Sequence, residues 1–304
     1  MPDLLPVVVL AGGSSRRFGG DKLLAELDGL PVLRRVVDQV TPLASKILIA
    51  TSTSSRASEI APRLPPSVQF ILDQPSRWGS GPAAAMAAAR ADAGGGPLLF
   101  VPGDVPRVET SALAQLLSRA SRSRADVAAP VWTSGMTEHL VQWHRDPRVL
   151  LHLPWNSDLP FPPSWRASEF LRAVPRTLLV PVPALTDRPM TFSHVTFPSD
   201  LRQPAPRGVA GSGTDDRLIE GVPKRAHARA WGFEHRRDPT RAHRAFIEES
   251  RWYEAAGLPL LARHAWADAT RPIAAQKRVP AEMDRPERSA RRPLMRGRTN
   301  GPAG

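Results

Sequence analysis

The sequence predicts an α/β fold, a three-layer sandwich built around a mostly parallel β-sheet. Short apolar runs alternate with helical patterns through the first two hundred residues, as expected for strands joined by crossover helices. The first run is continuous and rich in β-branched residues, which is typical of a strand buried on both faces. A glycine-rich segment follows it directly, at the sheet edge where ligands bind in this class.

The individual elements follow from local patterns. Apolar runs predict strands at 7–10, 46–51, 68–73, 97–101, 126–131 and 178–182. Apolar spacing or alanine content predicts helices at 23–40 with its preceding turn, 83–91, 111–122 and 168–174. The serine-rich residues 52–58 are expected to form a loop. This order places a helix between most successive strands.

The segment VVVLAGGSSRRFGGDK joins the first strand to a loop suited to phosphates. Gly12 and Gly13 permit a tight turn and a close approach of backbone to a ligand. Ser15 offers a hydroxyl, while Arg17 and Lys22 bring positive charge. Such a loop, lined with N–H donors and cations, favours phosphate binding over an ordinary turn with solvated arginines. Its spacing excludes both the P-loop and the G-x-G-x-x-G dinucleotide fingerprint.

The stretch LAGGSSRRFGGDK resembles the signature L-A-G-G-x-S-x-R-x-G-x-D-K of the molybdenum cofactor guanylyltransferases, which are nucleotidyltransferases with a Rossmann-like fold. The matching positions are Leu10, Ala11, Gly12, Gly13, Ser15, Arg17, Gly19, Asp21 and Lys22. The resemblance implies that six of these residues bind GTP: Leu10, Ala11, Gly12, Gly13, Ser15 and Lys22. Arg17 and Lys22 would then neutralise its β- and γ-phosphates during catalysis.

Two aspartates at predicted strand ends are candidates for ligand contacts. Asp104 lies in PGDVP, where a buried strand and two prolines restrict its backbone. Beside a triphosphate its natural role is to hold Mg²⁺, and PGDVP resembles the family's metal-binding G-D-x-P. The alternative is a cap for the helix near Thr110. Asp73 resembles a family aspartate that binds guanine. The alternative role for Asp73 is to cap a helix or a turn.

Some positions depart from the family pattern. Thr51 or Ser52 stands where the family has an asparagine near the nucleotide. The segment FSHVTFPSDL resembles the closing motif N-x-N-T-P-E-D-L, but His194 and Thr196 replace both asparagines. In related enzymes this segment can supply a second metal contact.

The segment TSGMTEHLVQWHR resembles the acceptor side of the family, with Glu138 and Leu140 at matching positions. It also holds two histidines, His139 and His144, which are candidates for a metal pair. Because their spacing of five residues is not the usual i, i+4 of a helical pair, we predict that they are structural.

The resemblance ends near residue 204, and we predict three regions. They are a nucleotidyltransferase domain at 1–204, a linker and small helical appendage at 205–270, and a basic disordered tail at 271–304. The glycine-rich residues 207–221 form the linker. Helices are expected from Asp238-Pro239 to Gly257 and over 258–268. The appendage could contact the first domain or a protein partner.

The charge of the chain is concentrated toward its C-terminal end. Residues 205–304 hold 20 basic and 12 acidic residues, against 21 and 17 in residues 1–204. A basic tail can bind nucleic acid, but without interleaved aromatic residues a solvated tail is the favoured interpretation.

The composition limits the class of protein. The sequence has no cysteine, which excludes disulfides, iron–sulfur clusters and thiolate zinc sites and fits a cytoplasmic protein. Without an apolar run of eighteen residues, no transmembrane helix and no membrane partner are expected. A signal peptide is not expected either, since no Lys or Arg precedes the first apolar run.

These observations predict a Mg²⁺-dependent nucleotidyltransferase. The resemblance implies that GMP passes from GTP to a phosphorylated acceptor, molybdopterin or its molybdenum form, with release of pyrophosphate. Alternatives are a cytidylyltransferase for the same pterin, a guanylyltransferase for a sugar or alcohol phosphate, and a nucleotide-binding regulator without catalysis.

Overall fold

A computed structural model of the chain describes residues 3–12, 15, 17–72, 81–92, 95–146, 166–188, 190–204 and 215–271. The predicted ligand residues Gly13 and Asp73 lie outside these ranges, as does the predicted disordered tail beyond Arg271. The described residues up to Thr270 belong to one compact unit.

The described strands form one large sheet and one small hairpin. They are β1 (Leu5–Leu10), β2 (Glu26–Leu27), β3 (Leu30–Pro31), β4 (Ala44–Thr51), β5 (Gln69–Leu72), β6 (Leu98–Pro102), β7 (Val127–Val131), β8 (Gln142–His144), β9 (Thr177–Pro181) and β10 (Arg217–Ile219). The large sheet has the order β10-β9-β7-β8-β6-β1-β4-β5, and β2 pairs with β3. Strands β6, β1, β4 and β5 are mutually parallel, as are β7 and β9. β8 is antiparallel to both its neighbours, and β10 to β9.

Helices lie on both faces of this sheet. They are α1 (Val32–Val40), α2 (Ser54–Ile60), α3 (Pro82–Asp92), α4 (Thr110–Arg122), α5 (Ser168–Ala173), α6 (Ser199–Arg202), α7 (Val222–His235), α8 (Pro239–Ala255) and α9 (Pro259–Ala269). Helices in the described ranges are too short or too polar to span a bilayer. The predicted fold class, a mostly parallel sheet between helical layers, is confirmed.

Successive side chains of the central strands alternate between two hydrophobic cores. Val8 and Leu10 of β1 face the core that contains α3 and α5. Val7 and Val9 face the opposite core, which contains α1 and α4. All four side chains are buried, so β1 lies at the centre of the molecule and its carboxyl end is fixed from both sides.

The C-terminal helices α7, α8 and α9 share the core that contains α3 and α5. Trp231, Phe246 and Leu261 contribute one side chain from each helix, and all are buried. The boundary predicted at residue 204 stays a prediction, because residues 205–214 lie outside the described ranges. The helices predicted after Asp238 are confirmed as α8 and α9.

A buried ion cluster joins α5 to α8 and α9. The Arg172 guanidinium donates two hydrogen bonds of 2.8 Å to Glu249, and its Nη1 lies 2.6 Å from both Glu169 and Asp268. We call these four residues the Arg172 cluster. Each side chain is at most 2% exposed, so the cluster is a fixed, water-poor contact between distant parts of the chain.

Two local predictions, for residues 52–58 and for the linker, were wrong, and the turn predicted before α1 contains an additional hairpin. Residues 52–58 were expected to be a loop, but α2 begins at Ser54, where the Thr53 hydroxyl accepts the Arg56 N–H at 3.1 Å and caps the helix. The turn before α1 is the β2–β3 hairpin, which antiparallel pairing stabilises. The linker expected at 207–221 contains β10, because this segment completes the edge of the sheet beside β9.

Candidate active site

The carboxyl ends of β1 and β6 meet at one edge of the sheet, and a glycine holds them together. The Gly103 N–H donates to the Leu10 carbonyl at 2.9 Å. A Cβ at this position would lie 2.8 Å from Leu33 Cδ1 and 3.0 Å from the Leu10 oxygen. Only glycine fits without a shift, and this close approach places Asp104 beside the loop that leaves β1.

An ion pair connects that loop to the end of β6. Lys22 Nζ lies 2.5 Å from Asp104 Oδ2, and both side chains are mostly buried, at 22% and 14% exposed. The two residues are 82 positions apart, so the sheet topology brings them together. The structure therefore joins two of the residues that the sequence predicts for catalysis.

The carboxyl group of Asp104 is ionised in this setting. Burial alone would raise its pKa, but the nearby His194 and Lys22 outweigh that effect and lower the pKa well below its usual range. An ionised carboxylate is the form that binds a divalent metal ion.

His194 lies on the other oxygen of Asp104. Its Nδ1 is 3.0 Å from Asp104 Oδ1, and the Val195 N–H donates to the Asp104 carbonyl at 2.8 Å. This backbone bond fixes the segment after Ser193 against the end of β6. The sequence comparison identified His194 only as a departure from the family pattern, so its contact with Asp104 is a finding of the tertiary structure.

Behind His194 stands a buried carboxylate. Glu138 Oε2 is 3.4 Å from His194 Nε2, and Glu138 Oε1 accepts a hydrogen bond from Trp132 Nε1 at 2.6 Å. Glu138 is 2% exposed. Lys22, Asp104, His194 and Glu138 thus form a continuous chain of charged and polar groups from the glycine-rich loop into the protein.

A second ion pair anchors the end of the glycine-rich loop. Asp21 Oδ2 pairs with Arg56 Nη1, and Asp21 Oδ1 lies 2.7 Å from Arg56 Nη2 and accepts the Leu23 N–H at 3.0 Å. Burial acts to raise the pKa of Asp21, but the hydrogen bond from Arg56 lowers it overall. Sequence reasoning missed Arg56, although the Thr53 cap signal could have placed it in the first turn of α2.

The other predicted ligand residues within the described ranges differ in how far they are exposed. Leu10 and Ala11 are buried, and the Ala11 N–H is already bonded to the Ala50 carbonyl at 2.8 Å, so it supports the sheet. Gly12 is exposed at the strand end, and Ser15 has a positive φ of 46°. Arg17 is exposed, and its guanidinium carbon lies 6.0 Å from the centre of the Phe197 ring.

The two histidines predicted to be structural lie in or beside β8. His144 is buried, its Nε2 is 2.9 Å from Gln142 Oε1, and its ring packs edge-on against Phe100 and Phe170. Asp104 does not cap α4, since Glu109 is the N-cap residue of this helix and its side chain makes no capping hydrogen bond there. The capping alternative for Asp104 is therefore wrong.

The donors around Asp104 fit a metal ion that is held jointly by protein and substrate. Within the described ranges, no group of three or more His, Asp or Glu side chains converges on a point that could hold an ion. Asp104 nevertheless offers an ionised carboxylate, whose Oδ1 contacts His194 Nδ1 at 3.0 Å. Mg²⁺ is commonly bound through one or two protein ligands together with substrate phosphates and water. This donor set fits that pattern.

Comparisons with known proteins show what this chain is similar to. A family model described as a MobA-like NTP transferase domain matches residues 7–281. The molybdenum cofactor guanylyltransferase of Shewanella putrefaciens is 31% identical over 212 residues, which cover 67% of this chain and 97% of that protein. The enzyme of the same name from Shewanella halifaxensis is 30% identical over 207 residues, covering 64% and 91%. A solved structure of molybdopterin-guanine dinucleotide biosynthesis protein A from Archaeoglobus fulgidus is 20% identical, has a TM-score of 0.49, and covers 66% of this chain and 96% of that chain.

Proposed function

The chain belongs to the MobA-like NTP transferase family and is a nucleotidyltransferase, and we propose that it transfers GMP from GTP to the phosphate of molybdopterin or its molybdenum form. Pyrophosphate is the second product. The relatives named molybdenum cofactor guanylyltransferase support this choice of nucleotide and acceptor. A cytoplasmic location belongs to the same proposal.

The observation that carries the proposal is the contact between Lys22 and Asp104 at the ends of β1 and β6. A cation and an ionised carboxylate side by side can serve the two charge requirements of a nucleoside triphosphate. Lys22, together with Arg17 on the same loop, neutralises the β- and γ-phosphates of GTP. Asp104 would hold Mg²⁺, which would supply charge neutralisation at the phosphate oxygens.

The residues position the reactants and stabilise charge without forming a covalent intermediate. Backbone N–H groups of the loop around Gly12 bind phosphate oxygens, as glycine-rich turns at strand ends do. The acceptor's phosphate oxygen attacks the α-phosphorus of GTP and the bond to the bridging oxygen breaks. Lys22 remains close to the leaving pyrophosphate and stabilises its negative charge. In this proposal, Asp73 accepts a hydrogen bond from the guanine base.

Pyrophosphate release with GTP or CTP tests the proposal, with Mg²⁺ and molybdopterin present. We compare the wild-type protein with Asp104→Asn, which keeps the size of the side chain and removes its charge. The matched control is Asp38→Asn, since Asp38 is a half-exposed residue of α1 that pairs with Arg34. We expect release with GTP that falls about 10²–10³-fold in Asp104→Asn and stays unchanged in the control.

The other outcomes distinguish the alternatives. Release with CTP alone would keep the chemistry and overturn the choice of guanine. Nucleotide binding without release from either nucleotide would overturn the proposed reaction, and would favour a sugar or alcohol phosphate acceptor or a nucleotide-binding regulator. Release that is equal in wild type and Asp104→Asn would overturn the assignment of Asp104.

A further inference from the structure

We infer that a cleft on the face of the sheet covered by α1 and α4 is a second ligand site, which binds the phosphate group of a phosphorylated organic molecule of mononucleotide size. The cleft has a volume of about 610 Å³, which is typical of small-molecule sites. It lies between α1, the connection from β6 to α4, and the segment before α6 that contains Arg188 and Met190. Lys22 and Asp104 are not among the described residues that line it.

The first argument is the positive charge of the cleft. Arg35, Arg107 and Arg188 contribute one guanidinium from each of its three walls. Arg35 Nη1 lies 3.2 Å from the carboxylate of Asp28, which is 75% exposed, and Arg188 Nε lies 3.1 Å from Glu109 Oε1. In the part of the chain that the structure describes, no carboxylate lies within ion-pair distance of Arg107. The cleft therefore has more positive than negative charge.

The second argument is the position of Arg107. Its Nη1 donates to the Asp200 carbonyl at 3.3 Å and its Nη2 to the Leu201 carbonyl at 2.9 Å, so the guanidinium is fixed while it keeps further N–H groups for a ligand. Burial lowers the pKa of Arg107, and the nearby Arg35 acts in the same direction, while the carboxylates of Asp28 and Asp200 oppose the shift. A bound anion would supply the negative charge that this arginine lacks.

The third argument is that the one carboxylate on the wall of the cleft is already bonded. Glu109 Oε2 accepts hydrogen bonds from the hydroxyls of Thr186 at 2.5 Å and Thr191 at 2.8 Å, while Oε1 contacts Arg188. These bonds hold the segment before α6 against the start of α4. Glu109 therefore keeps two walls of the cleft in place, and its own charge is largely compensated.

The fourth argument concerns the kind of anion. The Thr110 N–H and hydroxyl are both bonded to Gln39, so we assign the phosphate contacts to the arginines, whose planar guanidinium groups can bind phosphate oxygens in pairs. Pro106, Val108 and Met190 add apolar surface to the lining. Phosphate alone would leave most of the volume unfilled and this apolar surface without a contact. An organic phosphate would use both parts of the cleft.

Nuclear magnetic resonance of the arginine side chains tests the location of the site. We titrate the full chain, with ¹⁵N in its arginines, with AMP, ribose 5-phosphate, inorganic phosphate and adenosine. We expect AMP and ribose 5-phosphate to shift the Nε–H resonances of Arg35 and Arg107, and adenosine to leave them unchanged. Arg17 reports on the glycine-rich loop. Shifts confined to Arg17, or no response of Arg35 and Arg107 to either organic phosphate, would overturn the inference.

Dissociation constants of AMP, measured by calorimetry, give a second readout. Arg35→Gln is expected to weaken binding at least about tenfold, because a charged hydrogen bond to phosphate is lost. The matched control is Arg34→Gln, since Arg34 is the preceding residue of α1 and pairs with Asp38 outside the cleft. We expect this control to bind AMP as the wild type does. Equal affinities in the two variants would overturn the inference.

The smaller probes test which part of the ligand is recognised. Adenosine that binds as tightly as AMP would overturn the recognition of phosphate. Inorganic phosphate that binds as tightly as AMP would overturn the assignment of an organic ligand. Because these measurements use neither GTP nor molybdopterin, their failure would leave the proposed nucleotidyl transfer intact, and a failure of that proposal would leave this site intact.

Discussion

Lys22 Nζ lies 2.5 Å from Asp104 Oδ2, although the two residues are 82 positions apart in the chain. Lys22 ends the glycine-rich loop after β1, and Asp104 follows β6, the parallel neighbour of β1. This contact brings the loop and the candidate metal ligand to one place at the sheet edge.

Lys22→Gln is expected to reduce kcat/KM for pyrophosphate release by about 10²–10³-fold, because the cation near the leaving phosphates is lost. The free energy of unfolding should also fall, by about 1–3 kcal/mol, because the mostly buried Asp104 carboxylate loses one of its partners. The control is Lys46→Gln at the amino end of β4, on the opposite edge of the sheet. Equal kinetics in the two variants would contradict the assignment of Lys22.

Gly103→Ala is expected to lower the free energy of unfolding by about 1–3 kcal/mol, since the added methyl group overlaps Leu33 and the Leu10 carbonyl. Activity should fall as well, because Asp104 is the next residue. Gly20→Ala serves as the control for stability, as a Cβ there meets no described atom within 4 Å. Chemical denaturation of both variants measures the difference, and a neutral Gly103→Ala would mean that the strand ends adjust freely.

Arg172→Met is expected to destabilise the protein by about 3–5 kcal/mol, because the three buried acidic side chains of the Arg172 cluster lose the guanidinium that contacts all of them. Arg176→Met is the matched control. Its ion pair with Asp126 lies near the surface, with Arg176 39% exposed, and should contribute about 1 kcal/mol or less. Urea unfolding of both variants decides the comparison. Similar losses would show that the Arg172 cluster adds no more than a surface pair.

Glu169→Gln is expected to stabilise the protein at alkaline pH relative to the wild type. Burial raises the pKa of Glu169 to about 8, with Arg172 opposing the shift and the carboxylates of Asp268 and Glu249 adding to it. The folded protein therefore keeps a proton that the unfolded chain releases above its ordinary pKa of 4.5. Between these two pH values the wild type loses stability as pH rises, by up to about 1.4 kcal/mol per pH unit.

Glutamine does not titrate, so the difference between variant and wild type should grow from pH 5 to pH 8, measured by urea unfolding. Glu248→Gln is the control for the pH dependence of unfolding, because the Glu248 carboxylate pairs with Arg229 at the surface. A difference that is constant with pH would mean that Glu169 is already ionised in the folded state.

Much of the fold and part of the candidate site can be predicted from the sequence. Strands β1, β4 and β6 are predicted by short apolar runs. Helix α8 is predicted by the Asp238-Pro239 pair at its start, where Asp238 Oδ1 accepts the Arg241 N–H at 3.1 Å. These signals are local. Strands β8 and β10 have three residues each and depend on neighbours for their hydrogen bonds, so their own sequence carries little signal.

The fold class, the glycine-rich loop and the choice of Lys22 and Asp104 as candidates follow from the sequence alone, because each depends on residue types within a short segment or on a motif. The contacts of His194 with Asp104, of Glu138 with His194 and of Arg56 with Asp21 become visible only in the folded chain. These pairs join residues 35 to 90 positions apart. Such contacts depend on strand order and on which ends of the strands meet, and a local pattern contains neither.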